Sequence, residues 1–494
     1  MIPELTYLTR TPFWSLLEPH GVTLLNMSTQ EMLEFDLVIV GTGSGNSIPG
    51  PEFDGWRIAI VEKGVFGGTC LNVGCIPSKM FVYAADVAET IRGSATYGIQ
   101  SEIGLIDWPA IRDRVFARID PIAEGGEEYR LGDECPNITV FKGNGRLTGA
   151  KTLEVTGQDG QTWHLSGRHV VLGAGARPFI PPYNGLADVP FHTSDTIMRI
   201  DSLPQRLIVL GGGYIAAELG HVFSAFGSDV TLVNRGERLL RREDDEVSER
   251  FTELMSRRIN VLCDSEVTNV GYDGEQFWVE IRQGDSFEAI YADQLLVAAG
   301  RVPNSDLIGA FDAGIACTEG RVEVDQYFRT SVDGVWAFGD ISNSHQLKHL
   351  ANAEVKALRL NLLVEEGQIE GPMRSVDDRF VPHAVFGYPQ VASVGLTESE
   401  GRARGHELLV STQEYAGTAY GWAMEESESF CKLIADAQTR KLLGAHIIGP
   451  QASTLIQQLI QGMEFGQTVD QMAEQQFYIH PALTEVIENA LLGF

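Results

Sequence analysis

Asp36-Leu37-Val38-Ile39-Val40-Gly41-Thr42-Gly43-Ser44-Gly45-Asn46 is the stretch on which the fold turns. A short β-prone run leads directly into a glycine-rich turn. A second run, Arg57-Ile58-Ala59-Ile60-Val61, then ends on Glu62. Strand, glycine loop, strand and acid in that order form the grammar of a Rossmann-type dinucleotide unit. Gly41 permits the tight turn, and Gly43 lets the backbone approach a phosphate. The loop predicts a following helix whose free N–H groups and positive dipole end face a pyrophosphate. Asn46 stands at the third glycine position, a departure from the usual spacing. Glu62, 21 residues after Gly41, occupies the place from which a carboxylate binds ribose hydroxyls.

The grammar recurs downstream. Arg206-Leu207-Ile208-Val209-Leu210 leads into Gly211-Gly212-Gly213-Tyr214-Ile215-Ala216-Ala217-Glu218, and Asp229-Val230-Thr231-Leu232-Val233 ends on Asn234-Arg235. Gly211, Gly213 and Ala216 keep the fingerprint spacing, with Ala in its permitted third place. Two units predict two dinucleotide sites. No acid stands at the second ribose position. Arg235 is there instead, with Arg241 six residues on. An arginine accommodates a 2′-phosphate where a carboxylate would repel it, so the second site is expected to take NADPH.

Between the two units lies Gly67-Gly68-Thr69-Cys70-Leu71-Asn72-Val73-Gly74-Cys75-Ile76-Pro77-Ser78-Lys79. Two cysteines this close can join in a disulfide within one turn-like loop. Pro77 suits a helix start just after Cys75, and a thiol at a helix N-terminus has its thiolate stabilised. Further on, Gly339-Asp340 places a carboxylate beside glycine at the end of an apolar run, which suits close contact with a polyol chain. His480 is followed five residues later by Glu485. A carboxylate partner orients an imidazole and raises its basicity, as general acid–base chemistry needs.

The remainder bounds these readings. At 494 residues the length prior is about three domains. The 37 Lys+Arg against 67 Asp+Glu give a net charge of −30, which excludes non-specific attraction to nucleic acid or anionic lipid. No apolar run is long enough for a transmembrane helix. Six cysteines are too few for a disulfide scaffold, and none has zinc-like spacing, so no metal is expected. Residues 1–34 lack a clear period and the basic start and apolar run of a signal peptide. They read as a poorly ordered N-terminal extension of a cytoplasmic protein. Residues 380–494 have no glycine loop. Apolar runs at 391–394, 430–434 and 444–448 predict antiparallel strands, with helices at 451–474 and 481–492, an α+β unit.

Together these pieces resemble the FAD-dependent pyridine nucleotide-disulfide oxidoreductases, the family of glutathione reductase and lipoamide dehydrogenase. The resemblance covers about 35–494, and the Gly67–Lys79 stretch is its most specific part. It implies an α/β fold with two Rossmann-like domains, for FAD and NADPH, and a C-terminal α+β dimerisation domain. The implied division is 35–178 for the first FAD part with the cysteine pair, 179–300 for NADPH, 301–375 for the returning FAD part and 376–494 for the interface. Met80-Phe81-Val82-Tyr83-Ala84-Ala85, His192-Thr193-Ser194-Asp195-Thr196, Tyr420-Gly421-Trp422-Ala423-Met424-Glu425 and the stretch from His480 to Leu492 resemble one branch whose members reduce the disulfide of a low-molecular-weight thiol. Lys348-His349 fits the same branch.

The resemblance also implies roles. Cys75 would face the flavin and Cys70 would exchange with a small-molecule disulfide. Lys79 would lie near the flavin, paired with Glu218, and Tyr214 would gate the nicotinamide pocket. His480, oriented by Glu485, would serve the partner subunit of a homodimer. FAD would be held by Gly41, Gly43, Asn46, Glu62, Gly68, Thr69, Lys79, Gly175, Arg301, Asp340, Lys348 and His349. NADPH would be held by Gly211, Gly213, Tyr214, Ala216, Glu218, Arg235, Arg241 and Gly300. The absence of an acid at Asn234 argues against an NAD-directed member, and no cysteine follows Cys431 to form a C-terminal relay.

Overall fold

In the computed structural model, which describes residues 31–494, the first glycine loop rises from a parallel sheet buried on both faces. Its strands run in the order Ile138–Lys142, Ile58–Glu62, Met32–Val40 and Thr162–Leu172. Leu37, Val38 and Ile39 are fully buried, as continuous apolar runs are in a sheet covered on both sides. The N-terminal half of Thr162–Leu172 pairs antiparallel with Thr152–Thr156, which pairs in turn with Asn144–Gly149. Its C-terminal half, Val170 to Leu172, pairs in parallel with Val335–Ala337. The chain therefore leaves this sheet, builds a second domain, and returns to it. That return brings Asp340 back beside the loop that carries Gly41.

Two expectations are corrected here. The first strand begins at Met32, not at Asp36, and Met32, Leu33, Glu34 and Phe35 pair with His164, Leu165, Ser166 and Gly167. The extension expected over 1–34 thus overlaps a strand at its end, and residues 1–30 lie outside the described residues. The helix expected after the first glycine loop is a single 3-10 turn, Ser44–Ser47. Pro49 and Pro51 follow at once. Each removes a backbone donor and restricts the residue before it, so the helix cannot extend.

The second unit keeps the full pattern. Its parallel sheet runs Asn260–Leu262, Asp229–Val233, Arg206–Leu210, Gln294–Val297 and His192–Thr193. Helix Tyr214–Ala225 starts on the glycine loop and is buried along most of its length. The antiparallel pair Ala176–Pro178 and Arg301–Pro303 carries the chain out of and back into the first domain. The C-terminal domain is a five-stranded antiparallel sheet in the order His383–Val385, Val391–Gly395, Leu442–Ile448, Phe430–Asp436 and Leu408–Glu414. Helices Ala452–Glu464, Val469–Glu474 and Thr484–Leu492 accompany it. The single helix expected over 451–474 is two. Gly466 takes a left-handed φ of 64°, and Thr468 starts the next helix with a capping box to Gln471.

One apolar cluster ties the cysteine-bearing region to the second domain. Phe81 stacks on Trp108 at 5.2 Å, and Trp108 meets Phe223 of helix Tyr214–Ala225 at 5.5 Å. Among the described residues no helix is long and apolar enough to cross a membrane.

Candidate active site

A cavity of about 2460 Å³ runs between the two glycine loops. Its walls include Gly41, Gly43, Glu62, Gly68, Thr69, Cys70, Cys75, Lys79, Gly175, Arg301, Asp340, Lys348 and His349 on the first domain's side. On the other side stand Gly211, Gly213, Tyr214, Glu218, Arg235, Arg241 and Gly300.

The glycines answer whether dinucleotides fit. A Cβ on Gly41, at φ +101°, would sit 2.4 Å from Gly173 O, and one on Gly211, at φ +141°, 2.2 Å from Ala298 O. Only glycine makes either turn. Gly43 and Gly213 have nothing within 4 Å of where a Cβ would stand, so their bare backbone faces the open cavity. Thr42 N–H and Oγ–H donate to Glu62 Oε2 at 2.9 and 2.6 Å, which fixes that carboxylate at the cavity wall. Burial pushes the Asp340 carboxyl up, with Arg301 and Lys348 opposing. Lys348 Nζ donates to Ser44 Oγ at 2.8 Å, and Ser44 Oγ to Asn352 Oδ1 at 2.9 Å. Burial holds the His349 imidazole below its ordinary range, and its Nε2 lies 2.8 Å from Pro382 O. The donor set fits FAD on the first loop and a pyridine nucleotide on the second.

Two assigned positions stand apart from these walls. Asn46 is turned away, with its Oδ1 and carbonyl accepting from Arg130 at 2.8 and 2.6 Å. Ala216 is buried in the core, where a small third residue brings helix and strand together. Arg235 and Arg241 are exposed and form no ion pair among the described residues, whereas Arg238 is held by Asp245 at 2.8 Å.

The cysteines lie on two consecutive helices rather than in an open loop. Cys70 belongs to Gly68–Asn72, and Cys75 is the first residue of Cys75–Gly93. Both are free thiols. A hydrogen bond from Cys70 lowers Cys75 to about 7, and the charge of Lys79 adds to this. The same bond, with burial, pushes the Cys70 thiol up. The pair is therefore polarised, with the thiolate favoured at Cys75 and the proton at Cys70. Lys79 Nζ reaches Glu218 Oε2 at 2.5 Å and lies 4.6 Å from the centre of the Phe386 ring. Glu218 is buried, and its other oxygen accepts from Phe386 N–H at 2.9 Å.

His480 Nδ1 is 2.7 Å from Glu485 Oε1, and the imidazole side chain is 74% exposed. Neither residue lines the cavity of its own chain. Phe477 and Ile479 beside it are also exposed apolar residues. Sequence reasoning missed Thr42, Asn352 and Phe386. Thr42 stood inside the quoted loop, but nothing local ties Asn352 to Ser44 across 308 residues.

The pyridine nucleotide-disulphide oxidoreductase model matches residues 35–357, and the dimerisation domain of the same enzymes matches residues 381–491. The chain belongs to this family, as the motifs implied, and is an oxidoreductase that works with FAD and NADPH. Among its relatives, mycothione reductase of Mycobacterium tuberculosis is 49% identical over 470 residues, covering 94% of this chain and 100% of that one. Mercuric reductase of Staphylococcus aureus is 30% identical over 93% of this chain and 82% of that one. The HOCl-induced flavoprotein disulfide reductase RclA of Escherichia coli superposes with a TM-score of 0.80 at 25% identity, covering 93% of this chain and 99% of that one.

Proposed function

We propose that the chain reduces mycothione, the disulfide of mycothiol, at the expense of NADPH, and does so as a homodimer whose active sites are shared between subunits. The polarised Cys70–Cys75 pair between the two glycine loops carries the proposal. The 49% identity to a mycothione reductase along nearly the whole chain supports the substrate. Bound FAD supplies the two-electron link between NADPH and the cysteine pair.

The residues then act in sequence. With the pair reduced, Cys75 rests as thiolate beside Lys79, and Cys70 keeps its proton. The partner subunit's His480, oriented by a carboxylate on Nδ1, takes that proton on Nε2. Cys70 Sγ attacks one substrate sulfur, forming a mixed disulfide and expelling the first thiolate. The imidazolium protonates that leaving group. Cys75 Sγ, still a thiolate, then attacks Cys70 Sγ, which restores the internal disulfide and expels the second thiolate, and this takes its proton from water. Within its own chain His480 bonds to Glu485 and lies outside the wall of the cavity that holds the cysteines, and its exposed imidazole beside exposed apolar residues suits a site completed by a second copy. A cytoplasmic location, where thiols are kept reduced, fits this chemistry.

The test is a parallel assay of the holoenzyme with mycothione, glutathione disulfide and lipoamide, following NADPH oxidation. The reading expects the highest kcat/KM with mycothione. A clear preference for either of the others would overturn the substrate assignment while leaving the reductase chemistry in place.

A further inference from the structure

Arg235, Arg241 and Arg242 lie in the connection 234–244, between strand Asp229–Val233 and helix Asp245–Ser256. The front of this loop is held from within its own domain. Asn234 Nδ2 donates to Gly236 O and Arg238 O, both at 2.9 Å, and Leu240 N–H donates to Gly212 O at 2.8 Å. Leu240 is held left-handed, at φ 51°.

The back of the loop is held from a different domain. Arg241 and Arg242 are exposed on the cavity wall, and the next two residues, Glu243 and Asp244, are buried. Glu243 Oε1 lies 2.7 Å from His383 Nε2, and its Oε2 accepts from Ser393 Oγ at 2.5 Å. Asp244 Oδ2 accepts from Glu398 N–H at 3.1 Å, and its Oδ1 from Lys432 Nζ at 2.9 Å. All four of these partners belong to the C-terminal domain. Lys432 is 2% exposed, and its ammonium reaches Asp244 at 2.9 Å, Glu246 at 2.9 Å and Glu398 at 2.8 Å. Three N–H donors meet three carboxylates, which leaves the group no second position.

We propose that Lys432 is a positioning residue for NADPH recognition: from the C-terminal domain it clamps Asp244, and through the adjoining backbone it sets how Arg241 and Arg242 approach the 2′-phosphate. The inference rests on the reading that Arg241 contacts that phosphate. NADH lacks the phosphate and does not feel the clamp. The preference for NADPH is thus partly set by a domain that binds no nucleotide.

The experiment compares NADPH and NADH kinetics of the holoenzyme in Lys432→Met, Glu398→Gln and Arg241→Ala. Lys432→Met should raise KM for NADPH by about three- to tenfold, less than the complete loss of a charge-assisted bond to the phosphate would. KM for NADH, kcat and flavin content should stay at wild-type values. Glu398→Gln keeps the lysine and removes one of its three carboxylates, so it should move the same ratio in the same direction and by less. It also carries the test if Lys432→Met does not fold. If both leave the NADPH/NADH ratio unchanged while Arg241→Ala raises it, the positioning role is wrong and the phosphate contact stands. If Arg241→Ala leaves the ratio unchanged, the phosphate reading falls and the clamp with it. A parallel rise in both KM values with lost kcat would mean general structural damage and would also overturn the proposal.

Discussion

Replacing Arg235 with alanine should weaken NADPH and spare NADH. Arg235 is exposed on the cavity wall and has no carboxylate partner among the described residues, so its full donor capacity is available to an incoming phosphate. Removing one hydrogen bond to a charged group costs about 1.5–3 kcal/mol. Exposure and salt screening favour the lower end, and about 1.5 kcal/mol corresponds to roughly a tenfold rise in KM. Steady-state rates with NADPH and NADH at fixed disulfide concentration measure the effect. Arg238→Ala is the internal control. Its guanidinium is committed to Asp245, with bonds to that residue's carbonyl and carboxylate at 3.1 and 2.8 Å, so its loss should change KM for NADPH far less. Raising ionic strength should also weaken NADPH more in the native enzyme than in Arg235→Ala. Equal changes in both coenzymes, or a larger effect from Arg238 than from Arg235, would refute the reasoning.

Further outcomes follow from the same geometry. In the reduced enzyme the more reactive thiol should be alkylated by iodoacetamide with a midpoint near pH 7, because Cys75 is lowered to about 7 by its bond from Cys70 and by Lys79. Lys79→Met removes a cation that favours the thiolate, so the midpoint should move up; an unchanged or lower midpoint would contradict the electrostatic role. Gly41→Ala should purify with reduced flavin content, since its Cβ would meet Gly173 O at 2.4 Å in a backbone conformation that side chains avoid. Full flavin occupancy in that variant would show that the first loop tolerates what the geometry forbids.

The parts that could be read from sequence are those whose physics is local. Both glycine loops, the ribose-side acid, the cysteine pair and the His480–Glu485 spacing each occupy one short segment with a recognisable chemical logic. The short turn after Gly43 is also written locally, in Pro49 and Pro51, which override the helix that the glycine fingerprint predicts. The break at 465–468 was marked by Gly466 and by Thr468 with Gln471 three residues on. Other features depend on residues far apart in the chain. The polarity of the two thiols comes from their mutual bond and from Lys79, which is itself set by Glu218 across 139 residues. The clamp on Asp244 needs Lys432, 188 residues away, and no periodicity announces it. Asn46 shows the opposite case: a residue at a motif position whose side chain is claimed by Arg130 from a later helix.

The proposed sharing of the active site between subunits can be tested by complementation. Cys70→Ser removes the attacking thiol and His480→Gln the acid–base group, so each variant alone should be nearly inactive. Mixing them through reversible dissociation makes about half of the dimers mixed, and each mixed dimer has one intact site and one doubly damaged site if the residues act across the two-fold axis. About a quarter of native activity per site should then return with NADPH and the disulfide substrate. No recovery, with subunit exchange shown independently by differently tagged chains, would place His480 with its own chain's Cys70 and contradict the shared site.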